Sequence, residues 1–307
     1  MRAPTQVDHN QSSMVNMMTQ TELHTQAPRA SCPPAEHGVA AAPPKPPGPR
    51  LMRASEVDRD YPADAPLAEV LAWTRAFLAR THPDLGRKGP VCPFVPIALA
   101  QDSIWLAEIN DPEPSLESIA AVIATYRDLF LATPPTDGPD SINKAFMVLF
   151  PNLGAEGAAV VDQVQYRLKR DFVDMGLMLG EFHALNESAG LRNPDFRPLR
   201  SPIPILAIRH MVDSDLPFLL RDGYPAEARA AFLRAYLYRL AGSLAPAKLE
   251  QAIDGVVEAE IERRAGHALR GEGAALAALA ALPLPPDLAG ELPPAAPAAT
   301  VCEGVRP

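Results

Sequence analysis

The chain has little cysteine, no excess of positive charge and no long apolar run. Its 3 cysteines (Cys32, Cys92 and Cys302) are too few and too scattered for a disulfide framework or a structural zinc ribbon. No apolar stretch approaches the roughly 18 residues that span a bilayer, so no membrane segment is predicted. The formal net charge of -9 argues against non-specific nucleic-acid binding, which needs a basic face. Familiar signatures are missing as well. There is no Gly-x-Gly-x-x-Gly after a strand, no phosphate-cradling P-loop, no Gly-x-Ser-x-Gly elbow and no His-Glu-x-x-His. His9, His24, His37, His82 and His267 are dispersed, which excludes a preformed three-histidine metal site.

Apolar residues make up 47% of the chain, enough for a packed core, and 35 residues are proline. Proline is poorly tolerated inside helices and central strands, so it must be concentrated elsewhere. Residues 1–55 hold few aliphatics, no aromatic residue and the stretch from Pro28 to Pro49, and are predicted to be a disordered tail. They contain no apolar h-region, and they are not Arg- and Ser-rich as a transit peptide would be, so a cytoplasmic location is expected. Residues 281–307, rich in Ala and Pro, are predicted to be a second disordered tail. Between them lie a core domain over 56–222 and a helical extension over 223–280.

Apolar residues at helical spacing (Leu67, Val70, Leu71, Phe77, Leu78) predict a helix that stops before His82-Pro83. Ser103–Ile109 reads as a short strand. Ser115 can cap a helix to about Leu131 that buries Ile119, Ile123, Tyr126 and Phe130. The wholly apolar Ala145–Phe150 reads as a central strand. A helix over Gly157–Phe172 follows, then strands over Gly176–His183 and Ile203–His210, the latter opening at a sheet edge because of Pro204. Ala226–Leu240 and Pro246 to about Leu269 form a helical pair. The predicted fold is α+β: a mixed or antiparallel sheet of about four to five strands covered by helices, then the helical pair.

Candidate chemistry concentrates between His183 and His210. Arg192, Arg197, Arg200 and Arg209 lie there with both histidines, against only Glu187 and Asp195. Arginine presents a rigid fork of donors suited to carboxylate or phosphate. The segment reads as a site for a small anionic molecule, or as a surface loop whose arginines pair with carboxylates. It joins two strands through about 20 residues, a length that in compact domains is usually functional or disordered. Strand alternation puts Glu181 and His183 on one face, where a carboxylate can orient the imidazole or join it in holding a metal. His183 and Glu181 are thus the candidate catalytic pair. Cys92, in Gly89-Pro-Val-Cys-Pro-Phe94, is a candidate thiolate ligand or nucleophile, with Arg87 and Lys88 nearby. Asp213 and Asp215 read as cap or turn residues, and Glu258, Glu260 and Glu262 as a solvated helix face.

Gly89–Phe94, Ala145–Pro151, Gly176–His183, Gly190–Arg200 and Ile208–Met211 together resemble an uncharacterised bacterial domain of unknown function, over roughly residues 70–222. That family implies no settled activity. In organisation the chain is also similar to the YqcI/YcgG family, some members of which are haem-dependent N-oxygenases. There too a Cys-containing loop precedes the sheet, and a strand ending in histidine precedes an Arg-rich segment. This likeness implies a haem-dependent oxidoreductase, with Cys92 or His183 as the iron ligand and Arg192, Arg197, Arg200, Arg209 and His210 about the cofactor or substrate. The alternatives are a cofactor-free enzyme or binding protein for a small anionic metabolite, with His183 as general base, and a non-catalytic interaction module.

Overall fold

The computed structural model describes residues 50–154 and 157–280, with side chains to His267. The tail expected over 281–307, and the one expected over 1–55 as far as position 49, lie outside the described residues. The folded chain starts earlier than position 56. Met52–Arg53 (β1) pairs with a neighbouring strand and leads into helix α1 (Ala54–Asp60), which buries Ala54 and Val57. Two buried apolar residues in a proline-rich surround are too weak a pattern to read without the strand they pair with.

Helix α2 (Pro66–Trp73) continues into a π-helical turn over Thr74–Leu78, and α3 (Val95–Ala100) follows the Cys92 loop. Strand β2 (Ile104–Glu108), helix α4 (Leu116–Ala132), β3 (Ala145–Leu149), α5 (Ala158–Asp174) and β4 (Leu177–Phe182) then alternate, before β5 (Ile205–His210). The sheet is mixed and five-stranded, in the order β1-β2-β3-β5-β4. β2 and β3 are parallel, and β5 lies antiparallel between β3 and β4. It follows that β2, β3 and β4 all run in one direction. β5 is an interior strand, not an edge strand as Pro204 suggests, because that proline stands just outside the ladder and offers only its carbonyl, to Phe150 N.

Each strand face buries a different core. Trp105, Phe146, Val148, Leu177, Leu179, Leu206 and Ile208 pack under α4 and α5. On the opposite face Leu106, Met147, Leu149 and Ile205 pack under α1 and α2. A third cluster joins Val173 and Met178 to α6 (Leu216–Leu219), α7 (Ala226–Leu240) and α8 (Pro246–Ala280), so the helical extension is seated on the sheet domain. Among the described residues no helix is long and apolar enough to cross a membrane.

Helix α4 shows how both ends are finished. The Ser115 hydroxyl accepts from Ser118 N at 3.1 Å and Ser118 Oγ accepts from Ser115 N at 2.9 Å. At the other end the fully buried Lys144 donates to the Phe130 and Thr133 carbonyls at 2.8 and 2.6 Å. Burial pushes its pKa down to about 8, so the amine is still mostly charged at neutral pH. Lys144→Met should cost about 2–3 kcal/mol, because two buried helix-end carbonyls lose a charged donor. Urea unfolding monitored by circular dichroism measures it; a loss near zero would mean that relief from burying the charge cancels the lost bonds.

Candidate functional site

The common direction of β2, β3 and β4 gives the sheet two chemically different ends. In sheets with parallel strands, ligands collect beyond the carboxyl ends. Here an open groove of about 740 Å³ lies at that end, its lining including Asp162, Gln165, Tyr166, Glu181, Asn186 and Glu187. Its floor is the last part of β4, a sheet edge. That edge is closed by side-chain amides: Gln165 Nε2 donates to the Leu179 carbonyl at 3.1 Å and Asn186 Nδ2 to the Glu181 carbonyl at 3.3 Å.

His183 stands just beyond β4 and is 3% exposed. Its Nε2 lies 2.9 Å from Asp162 Oδ1, on the first half of α5. Its Nδ1 is buried without a partner. The bond to Asp162 selects the tautomer with the proton on Nε2, where it donates to the carboxylate. Asp162 itself is 51% exposed and opens on the groove. The imidazole therefore holds Asp162 in place and is not itself part of the groove lining, where the sequence alone suggests it as the general base.

Glu181 shares the helix-facing side of β4 with His183, as strand alternation requires. Its carboxyl is pushed above the usual carboxylate range, first by burial and further by the charge of Asp162. Lys169 and Arg221 oppose that shift. Lys169 is buried and donates to the Phe218 carbonyl at 3.0 Å, with its Nζ 4.0 Å from the centroid of the Tyr224 ring. Burial first of all holds its pKa down to about 8. Asp162, Gln165 and Lys169 recur at i, i+3 and i+7, so one face of α5 presents polar groups to the end of β4. That polar stripe inside an amphipathic helix is visible in the sequence, and it is the signal that would have singled out Asp162.

Of the other expected site residues, His210, Arg209 and Cys92 do not join His183, whereas Arg200 comes next to it through Asn186. His210 closes β5 at the opposite end of the sheet. Leu177 is its partner in the register, and six extended residues at about 3.3 Å each separate Leu177 from His183, which puts the two histidines about 20 Å apart. His210 sits 5.0 Å from the Phe130 ring, centroid to centroid, with its Nε2 buried and unpartnered. Burial, then the charge of Lys144, push its pKa down to about 4. Arg209 projects from the other face of β5. It holds Asp215 through two bonds of 2.7 and 2.6 Å, and its guanidinium lies 5.9 Å from the Phe94 ring centroid in the Cys92 loop. Cys92 is a half-buried free thiol whose backbone N–H donates to the Leu78 carbonyl. It therefore lies on the opposite face of the sheet from His183.

Arg197 and Arg200 share a single carboxylate of their own loop, Glu187, which itself lines the groove. Arg197 Nε donates to Glu187 at 3.1 Å, and Arg200 binds the other oxygen of the same carboxylate. Arg200 Nε also donates to the Asn186 carbonyl at 3.1 Å. Arg192 is exposed, in a loop docked on Gly86. Gly86 has φ 72°, and a Cβ there would come within 3.1 Å of the Arg192 carbonyl, so the close approach requires glycine.

These positions do not fit the haem site expected from Cys92, His183 and the arginines. The candidate ligands stand on opposite faces of the sheet, neither ring nitrogen of His183 is presented to an iron, and two of the arginines expected about the cofactor are paired with Glu187. Nor do Cys92 and His183 form a metal centre: among the described residues no three His, Cys, Asp or Glu side chains are grouped to hold an ion.

No curated protein and no solved structure matches the chain. The model of one family does, a domain of unknown function (DUF6875), over residues 67–251. The match takes in both halves of the groove and runs through α7 into α8. It covers more than half of the 307 residues, and the chain belongs to that family, DUF6875.

Proposed function

We propose that the protein binds a small polar metabolite in the groove between α5 and the end of β4, and that Asp162 and Glu181 exchange protons with it. The observation that carries this reading is the 2.9 Å contact that fixes a half-exposed Asp162 on a buried His183, beside a second carboxyl held protonated to higher pH. Two carboxyl groups in unlike surroundings can act as acceptor and donor on one ligand. Asp162 is then the proton acceptor, Glu181 the donor, and His183 a positioning residue.

The lining favours a ligand that brings hydrogen-bond donors. Three carboxylates line the groove, Asp162, Glu181 and Glu187, while Arg197 and Arg200 are not part of the lining and stand behind Glu187. An amine or polyol suits this better than the small anion suggested by the arginine count alone.

A thermal-shift screen of primary amines, amino sugars, polyols and dicarboxylates tests the proposal. A ligand at about 100 times its Kd stabilises the fold by about 2.7 kcal/mol, which for a domain of this size raises Tm by roughly 5–10 °C. The expected hits are amines or polyols, and their shifts should vanish in Asp162→Asn and shrink in Glu181→Gln. Hits that stabilise both variants as well as the wild type would move the site elsewhere. Preferential stabilisation by dicarboxylates would restore the anion reading.

A further inference from the structure

Helix α8 carries an apolar stripe that the described residues leave uncovered. Ile253, Val257 and Ile261 are 46%, 51% and 63% exposed. Ala252, Gly255 and Ala259 are buried on the opposite side, so the helix is fully seated and the stripe faces outward. Four charged groups near it are engaged within the chain, whereas Asp254 and Glu258 are exposed beside it. Glu260 pairs with Arg234 and Arg263, Glu262 with Arg229, and Lys248 with Asp213.

Two exposed residues of opposite charge, Glu250 and Arg264, flank these three. At 3.6 residues per turn, Glu250, Ile253, Ile261 and Arg264 all fall within about 40° of Val257 around the helix. The spacing is symmetric. Ile253 and Ile261 stand one turn to either side of Val257, and Glu250 and Arg264 two turns. A second copy of the stripe in the reverse direction sets apolar against apolar in the middle and acid against base at each end; it also brings Asp254 towards Glu260 of the other copy, whose charge Arg234 and Arg263 already offset. We propose that α8 pairs antiparallel with α8 of a second copy of this chain, about a two-fold axis at Val257. Val257 then faces its own counterpart, and Glu250 of each copy meets Arg264 of the other. Such a contact is isologous and closes at two copies.

The paired segment is about 21 Å long, so the contact belongs to the small, reversible class. Sedimentation velocity of the full chain should show a 33.0 kDa species passing into one of twice that mass. The transition is expected over roughly 1–100 μM. Val257→Glu sets two carboxylates on the axis and should weaken association about 100-fold or more. Glu250→Arg and Arg264→Glu should each weaken it about tenfold, and the two together should bring it back to within about threefold of wild type. These positions are exposed, so the variants fold, and unchanged circular dichroism checks that. A monomer at every concentration would overturn the proposal and leave the stripe to another segment or another partner. A dimer indifferent to Val257→Glu would place the contact elsewhere, and a double charge reversal that stays as weak as the singles would overturn the antiparallel register.

Discussion

Replacing Arg209 with methionine is expected to cost about 3–5 kcal/mol of folding stability, because it strands a buried carboxylate. Asp215 is 1% exposed and takes both arms of the Arg209 guanidinium. Without them it keeps only the Val212 N–H at 2.8 Å, too little to replace the water it gave up on folding. For a domain of this size each kcal/mol lowers Tm by about 2–4 °C, so Tm should fall by roughly 6–20 °C. The two partners are not equivalent. Arg209 is the more exposed and also donates to the His210 carbonyl at 2.9 Å, so Asp215→Leu should cost less than Arg209→Met. The double variant Arg209→Met/Asp215→Leu should be more stable than Arg209→Met, since an apolar pair leaves no charge stranded. Chemical denaturation of the three variants closes the cycle. A single-variant loss under about 1 kcal/mol would show that water reaches Asp215.

Acidification should weaken the fold through His210. Its folded pKa of about 4 lies below the usual 6.5, because burial and the nearby Lys144 charge disfavour the imidazolium. The unfolded chain therefore takes up this proton first as pH falls. Stability is intact above pH 6.5, is lost progressively as pH drops towards 4, and levels off below that, for a total of about 3 kcal/mol. Glu181 works in the opposite sense, since its raised folded pKa makes the folded state the tighter proton binder there. The informative quantity is thus the difference between wild type and His210→Gln, measured by urea unfolding at several pH values from 7 to 4. That difference should shrink as pH falls, because only the wild type pays for keeping the histidine neutral. Parallel curves would mean that His210 titrates normally in the folded state.

Both predictions concern the amino end of the parallel strands, where Lys144, Arg209, His210 and Asp215 hold helices and turns to the sheet. The groove occupies the other end. Arg209 and His210 carry chemistry-bearing side chains next to an arginine-rich loop, so by composition they look like site residues. Asp162 gives the contrasting case: an ordinary helical aspartate until α5 is laid beside β4.

Periodicity and local turn chemistry were enough to place β2 to β5, α4, α5 and α7 nearly to the residue, because burial on one side and capping at Ser115 act over a few neighbours. The same alternation correctly set Glu181 and His183 on one face. Strand order, register and ion-pair partners depend on residues far apart in the chain, and these only the tertiary structure decided. The insertion of β5 between β3 and β4 sent His210 to the far end from His183. Cys92 is held across the sheet by its bond to Leu78, Glu187 folds back onto Arg197 and Arg200, and Asp162 comes to His183 from 21 positions away. A residue's type and its face are local properties, but whether its charge meets a partner, a ligand or water is decided by whatever the fold brings to it.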